Sequence, residues 1–217
     1  VSSAADAIAE ALAALGEPPP APLDNEDILL NFLARLMRNG ATVEAVRGRA
    51  EAVQSISDFL YREHNTRKVV AGYDARLAAM PWRVGGVLVR FGAAVAADPV
   101  SISHARLAVA ESGSLVFFAN KDNPACNNWL VTDHLAVVDG KDLVASYEEA
   151  WNRIRELTEE GLPRGINFIS GPSNTADIAL HTVVGAHGPQ RLHVICIGET
   201  GPDLMDRADS LARDLVA

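Results

Sequence analysis

Two stretches of the chain combine polar groups with the backbone freedom that a binding or catalytic loop requires. The first is SGPSNTADI at residues 170–178, directly after the apolar run at 166–169. Gly171 permits a sharp exit from a strand, and Pro172 fixes the next φ angle. Ser173, Asn174 and Thr175 then expose hydroxyl and amide groups, and a helix is expected to start near Thr175. Free N–H groups at that helix end would favour a carboxylate or phosphate. The same residues equally describe a plain N-cap, with Asp177 complementing the helix dipole.

The second stretch, VGAHGP at residues 184–189, flanks His187 with Gly185 and Gly188. Glycines on both sides leave the imidazole approachable, and histidine is the usual proton carrier near neutral pH. The alternative is a simple Gly188-Pro189 turn in which His187 bonds a neighbouring carbonyl. A third loop, Glu111-Ser112-Gly113-Ser114, places a carboxylate and two hydroxyls before an apolar run. Glu111 could act as base, nucleophile or hydrogen-bond acceptor, or stand as a solvated helix-end residue. These loops give His187 and Glu111 as candidate acid/base groups. The candidate ligand contacts are Gly171, Ser173, Asn174, Thr175, Asp177, Gly188 and Ser114.

A dense polar stretch at 120–130, with Lys121, Asp122, Cys126, Asn127, Asn128 and Trp129, could form a rim or lid. Cys126 has no activating neighbour in sequence, which argues against a nucleophile. Cys196 sits in an apolar run and is expected to be a buried small hydrophobe. The six histidines show no His-x-x-x-His or His-Glu-x-x-His spacing, so no metal site is expected. Neither a Walker-type loop nor a Gly-x-Gly-x-x-Gly is present.

Elements must position these loops. Apolar runs near residues 41–46, 68–71, 86–91, 113–119, 134–138, 166–170 and 192–198 have strand length and β-branched content. Helical periodicity covers residues 25–40, 49–64 and 146–157. Strands that are apolar on both faces and alternate with helices predict an α/β domain with an open, mainly parallel sheet flanked by helices. In such sheets ligands bind beyond the carboxyl ends of the strands. Gly16-Glu17-Pro18-Pro19-Pro20 interrupts the Ala-rich start, so residues 1–40 are expected to form an N-terminal helical extension, a candidate docking arm, and residues 41–217 the α/β domain.

The 217 residues suffice for one buried core. Hydrophobic residues at 48% and charged residues at 22% exclude wholesale disorder. A net charge of −9 offers little cationic surface for a phosphodiester backbone, so nucleic acid is not an expected partner. No apolar run approaches the roughly 20 residues needed to span a bilayer, and the start lacks a basic signal-peptide region. A cytoplasmic protein without membrane insertion is the expectation.

Four blocks carry a family resemblance: AESGSLVFF at 110–118, TDHLAVV at 132–138, SGPSNTADI at 170–178 and GAHGPQRLHVICIG at 185–198. In this order and spacing, over about half of the chain, the sequence resembles the LUD-domain family of lactate utilization protein C. It departs from the usual family form at Asn174, where arginine is common, at Ala179, where glutamate is common, and at Glu111-Ser112-Gly113-Ser114, where Asp-Thr-Gly-Thr is common. An arginine fork binds carboxylates in a way that asparagine does not. The resemblance implies a fold like that of the glucosamine-phosphate isomerase and CoA-transferase group. It also implies a part in oxidation of L-lactate to pyruvate beside partner proteins that carry iron–sulfur clusters. Two cysteines cannot supply a four-cysteine cluster, so no cofactor is expected on this chain and any such centre would belong to the partners. The alternative is a stand-alone protein or enzyme that binds a small carboxylate or phosphate between the Ser173 and His187 loops.

Overall fold

The computed structural model describes residues 25–159, 161–176, 182–198 and 200–215. In chain order the elements are α1 (Asn25–Arg38), β1 (Thr42–Val46), α2 (Arg49–His64), β2 (Lys68–Ala71), α3 (Ala75–Ala78), β3 (Leu88–Phe91), β4 (Val100–His104), β5 (Leu107–Val109), β6 (Ser114–Ala119), α4 (Cys126–Trp129), β7 (Asp133–Asp139), β8 (Leu143–Val144), α5 (Tyr147–Leu157), β9 (Gly165–Ile169), β10 (Asn174–Ala176), β11 (Thr182–Val184), β12 (Arg191–Ile197) and α6 (Leu204–Asp214).

Six strands form one fully parallel sheet in the order β1-β12-β7-β4-β2-β3. The expected α/β architecture is therefore present, with one correction. The runs at 113–119 and 166–170 leave the parallel sheet. As β6 and β9 they pair antiparallel inside a second sheet of order β8-β5-β6-β9. Apolar content made them strands, but content does not choose a sheet.

Side chains alternate across the main sheet and so define two cores. Leu135, Val137 and Ile195 join Val53, Ile56, Phe59 and Leu60 of α2 on one face. Ala136, Val138, Val194 and Cys196 face the other way, toward Phe32, Leu33 and Leu36 of α1, Leu115 and Phe117 of the second sheet, and Leu204 and Ala208 of α6. The second sheet lies against this layer and carries α5 on its outer side through Val116, Phe118, Ala150 and Ile154. Helix α1, placed by sequence in an N-terminal extension, is thus central to the core. Residues 1–24 of that expected extension lie outside the described residues.

Strand β4 was not anticipated. Its Val-Ser-Ile-Ser-His sequence alternates apolar and polar residues, yet all five are buried. Ser103 Oγ donates to Asn128 Oδ1 at 2.8 Å and Ser101 Oγ donates to Asn127 O, so α4 satisfies the buried hydroxyls. Among the described residues, no helix is long and apolar enough to cross a membrane.

Candidate functional site

The candidate loops meet because they are two arms of one hairpin. Strand β9 leads into β10, β10 pairs antiparallel with β11, and β11 returns to β12. The pairing matches Asn174 with Val184 and Thr175 with Val183. Two backbone bonds extend the join: Ser173 N donates to Pro189 O and Gly185 N to Ser173 O, each at 2.8 Å. This corrects the expected helix start at Thr175, since residues 174–176 are extended and their backbone groups are engaged in the hairpin. No helix terminus therefore stands at Thr175, and the rest of the expected start, at 177–178 with Asp177, lies outside the described residues.

Two glycines make the approach possible. A Cβ on Gly188 would come within 3.1 Å of Ser173 Cβ and 3.7 Å of Trp129 Cε3. A Cβ on Gly171 would lie against the carbonyl oxygen of Asn39, far inside van der Waals contact. Both residues serve close packing of one chain segment on another, Gly171 against the end of α1 and Gly188 against the Ser173 loop.

Beneath the hairpin lies a cavity of about 300 Å³ lined by α4 (Asn128, Trp129), β7 (His134), the end of β9 with its following loop (residues 168–174), and Pro189 and Leu192. It sits at the amino ends of β7 and β12. The general expectation of a site beyond the carboxyl ends of the parallel strands therefore does not describe this cavity. A shallower cleft outside it, about 640 Å³, is lined by Cys126, Trp129, Leu130, Thr132, Gly185, His187, Gly188 and Gln190. Exposed His187 belongs to this outer cleft. Trp129 borders both spaces.

The most informative group in the inner cavity is His134, which the sequence presented only as part of an apolar run. It is fully buried, and among the described residues neither Nδ1 nor Nε2 has a hydrogen-bond partner. Its ring lies 5.4 Å from that of Phe117. Burial in this apolar setting pushes the imidazole pKa down to about 3, so it is neutral at any ordinary pH. A neutral imidazole offers one donor and one acceptor. Unpaired polar atoms in a buried position are uncommon and call for a reason. No feature of the sequence distinguished His134 from the five other histidines, because its isolation is produced by the layers around it.

The start of β7 is held rigidly. Asp133 faces away from the cavity and accepts from Arg191 Nε at 2.7 Å and Nη2 at 2.6 Å. His64 Nε2 also bonds Asp133, and Glu63 bonds Arg191. The carboxylates of Asp133 and Glu63 push the Arg191 pKa upward. This cluster ties β7 and β12 to the end of α2 at the level where His134 and Leu192 line the cavity.

A chain of hydroxyls leads away from the cavity on the side of the second sheet. Ser170 Oγ lies 2.7 Å from Ser114 Oγ, which also contacts Ser112 Oγ at 2.8 Å and Tyr147 Oη at 2.9 Å. Buried Ser114 is thus adjacent to the site through Ser170 but does not line the cavity. Glu111 is not brought to it either. Its Oε1 accepts from Tyr147 N at 2.7 Å, at the amino end of α5, and it shares neither space with His187. The polar stretch at 120–130 is divided: Asn123, Asn127 and Asn128 are buried, Asn120, Lys121, Asp122, Trp129 and Leu130 are exposed, and Cys126, Trp129 and Leu130 form part of the rim of the outer cleft. Cys196 is buried, and burial together with the Asp139 charge pushes its thiol up to about 12. Among the described residues no group of three metal-ligating side chains is assembled.

The LUD domain family model matches residues 93–197, a span that includes β4, α4, β7, the hairpin and β12. Lactate utilization protein C of Shouchella clausii is 40% identical over 101 residues, 46% of this chain and 44% of that protein. The homologue from Bacillus subtilis is 36% identical over 46% of this chain and 42% of its own length. The chain thus spans less than half the length of these curated relatives. Lactate utilization protein C of Deinococcus radiodurans is matched far more fully, at 32% identity over 83% of this chain and 84% of that protein. A crystal structure of a DUF162 family protein from Deinococcus radiodurans superposes with a TM-score of 0.62 at 22% identity, covering 82% of this chain and all of that one, which shows a shared fold. On the extent of the Deinococcus radiodurans sequence match, and with three of its four motif blocks lining one cavity, this chain belongs to the LUD-domain family of lactate utilization protein C.

Proposed function

We propose that this chain is an accessory subunit of an L-lactate utilization system, in which lactate is oxidised to pyruvate with electrons passing to iron–sulfur partner proteins, and that the cavity under the hairpin is its ligand site. The observation that carries the reading is the match to lactate utilization protein C over 83% of the chain at 32% identity. The clusters are assigned to partners because the two cysteines, one buried in the core and the other on α4, are too few to ligate one. Tagged protein recovered from lactate-grown cells of the native host is expected to bring down a partner with the visible absorption of iron–sulfur clusters. Deletion of the gene is expected to abolish growth on L-lactate while leaving growth on pyruvate intact. Normal growth on lactate after deletion would refute the proposal.

A second reading is favoured by the preassembled cavity: a stand-alone protein that binds, or acts on, a small molecule. In that case His187, on the outer cleft, is the better acid/base candidate, since Glu111 is engaged with the start of α5. Unchanged lactate growth together with ligand binding by the isolated chain would select it.

A further inference from the structure

The inner cavity was taken above as the ligand site; resting on that reading, we propose that it takes a small uncharged ligand bearing hydroxyl and carbonyl groups, in preference to a free carboxylate or phosphate. Among the described residues that line it there is no lysine and no arginine. The polar groups present are Ser170, Ser173, Asn128 and Asn174, and behind this lining lie the buried ring nitrogens of His134, unpartnered among the described residues. An anion placed there would lose hydration without meeting an opposite charge on these residues, a cost that hydrogen bonds from neutral groups recover only in part.

The neutral groups are complementary to a ligand that both donates and accepts. His134 presents one N–H and one lone pair, and desolvation keeps it neutral, so it does not furnish the missing cation. Asn128 has its oxygen engaged by Ser103, which leaves its amide nitrogen as the group to offer. Ser170 ends the relay of hydroxyls through Ser114 to Tyr147, whose donor and acceptor senses can reverse together to suit the ligand. Phe168, Ile169, Leu192 and Trp129 supply the apolar remainder. A buried imidazole whose nitrogens have no protein partner among the described residues gains hydrogen bonds when such a ligand reaches it.

The test uses the full chain at pH 7.5 with lactamide and hydroxyacetone as neutral probes, and L-lactate, pyruvate and inorganic phosphate as anions. Binding is followed by thermal shift and ligand-detected NMR. The neutral probes are expected to bind at least tenfold more tightly than the anions. Lactamide is expected to shift the ¹⁵N resonances of His134, and Ser170→Ala and His134→Leu each to weaken lactamide binding tenfold or more. Ser170→Ala and the ¹⁵N signature preserve the test should His134→Leu fail to fold. Anion binding equal to or tighter than lactamide, lost in the same variants, would overturn the ligand class while leaving the cavity as the site. Lactamide binding untouched by either variant, or no probe binding with the His134 resonances unmoved, would overturn the cavity itself. The subunit assignment is tested separately, by partner recovery and lactate growth.

Discussion

His134 imposes a pH dependence that follows from its burial. Its imidazole is driven from 6.5 to about 3 by desolvation, so the unfolded chain binds a proton that the folded chain refuses. This contribution is fully present above the unfolded pKa near 6.5 and is lost as pH falls toward the folded value, with a slope approaching about 1.4 kcal/mol per pH unit. Denaturant titrations between pH 7 and 4 should therefore show a shallower decline for His134→Leu than for the parent chain. An equal decline would mean that other groups carry the acid sensitivity. At Gly171 the concern is steric, because a methyl group would be driven against the Asn39 carbonyl at the end of α1. Gly171→Ala is expected to destabilise by about 1–3 kcal/mol, read as a lowered urea midpoint, and to weaken any binding in the cavity it borders. Full stability would show that the α1–β9 junction relaxes freely.

At the scale of elements, α4 and α5 are secured by side chains that looked like candidate chemistry. Asn127, in α4, accepts from Ala94 N at 2.6 Å and donates to Gly92 O at 3.1 Å, clamping the loop after β3. Asn127→Ala would leave buried backbone groups unpaired, and a loss of about 2 kcal/mol is expected from equilibrium unfolding. Glu111 accepts from the first backbone N–H of α5, where a carboxylate also favours the helix dipole. Glu111→Ala is expected to cost about 1 kcal/mol while leaving lactamide affinity within twofold of the parent. A tenfold loss of affinity would instead return Glu111 to the site. The hairpin of β10 and β11 is a different kind of element, since it gains stability mainly by joining two loops, Ser173 and Gly185, that each precede or follow a longer strand.

For the whole molecule the decisive fact is that α1 is shared by everything around it. Phe32, Leu33 and Leu36 are buried against the parallel sheet, the second sheet and α6 at once. Removing residues 1–38 is therefore expected to yield an insoluble or molten product, detected by loss of near-ultraviolet circular dichroism, and not a trimmed α/β domain. A cooperative, soluble truncation product would restore the view of this helix as an appendage. The ion cluster of Asp133, Arg191, His64 and Glu63 works at the same scale, joining α2 to the two strands that line the cavity. Its partly exposed members are screened by solvent, so its value lies in fixing where β7 and β12 begin more than in net stability.

By itself the sequence determined which segments are strands and helices wherever apolar residues recur with a clear period, as in α2, α5, β7 and β12, and it marked the two hairpin loops through their glycines and prolines. Those are local properties, set by side-chain periodicity and backbone freedom. Only the tertiary structure decided that β6 and β9 pair in a second sheet, that β4 is buried behind two asparagines, and that residues 174–176 extend into a hairpin in place of a helix. It alone made His134 exceptional. Burial and partner loss depend on residues distant in the chain, so a histidine inside an apolar run carries no sign of them until the layers close around it.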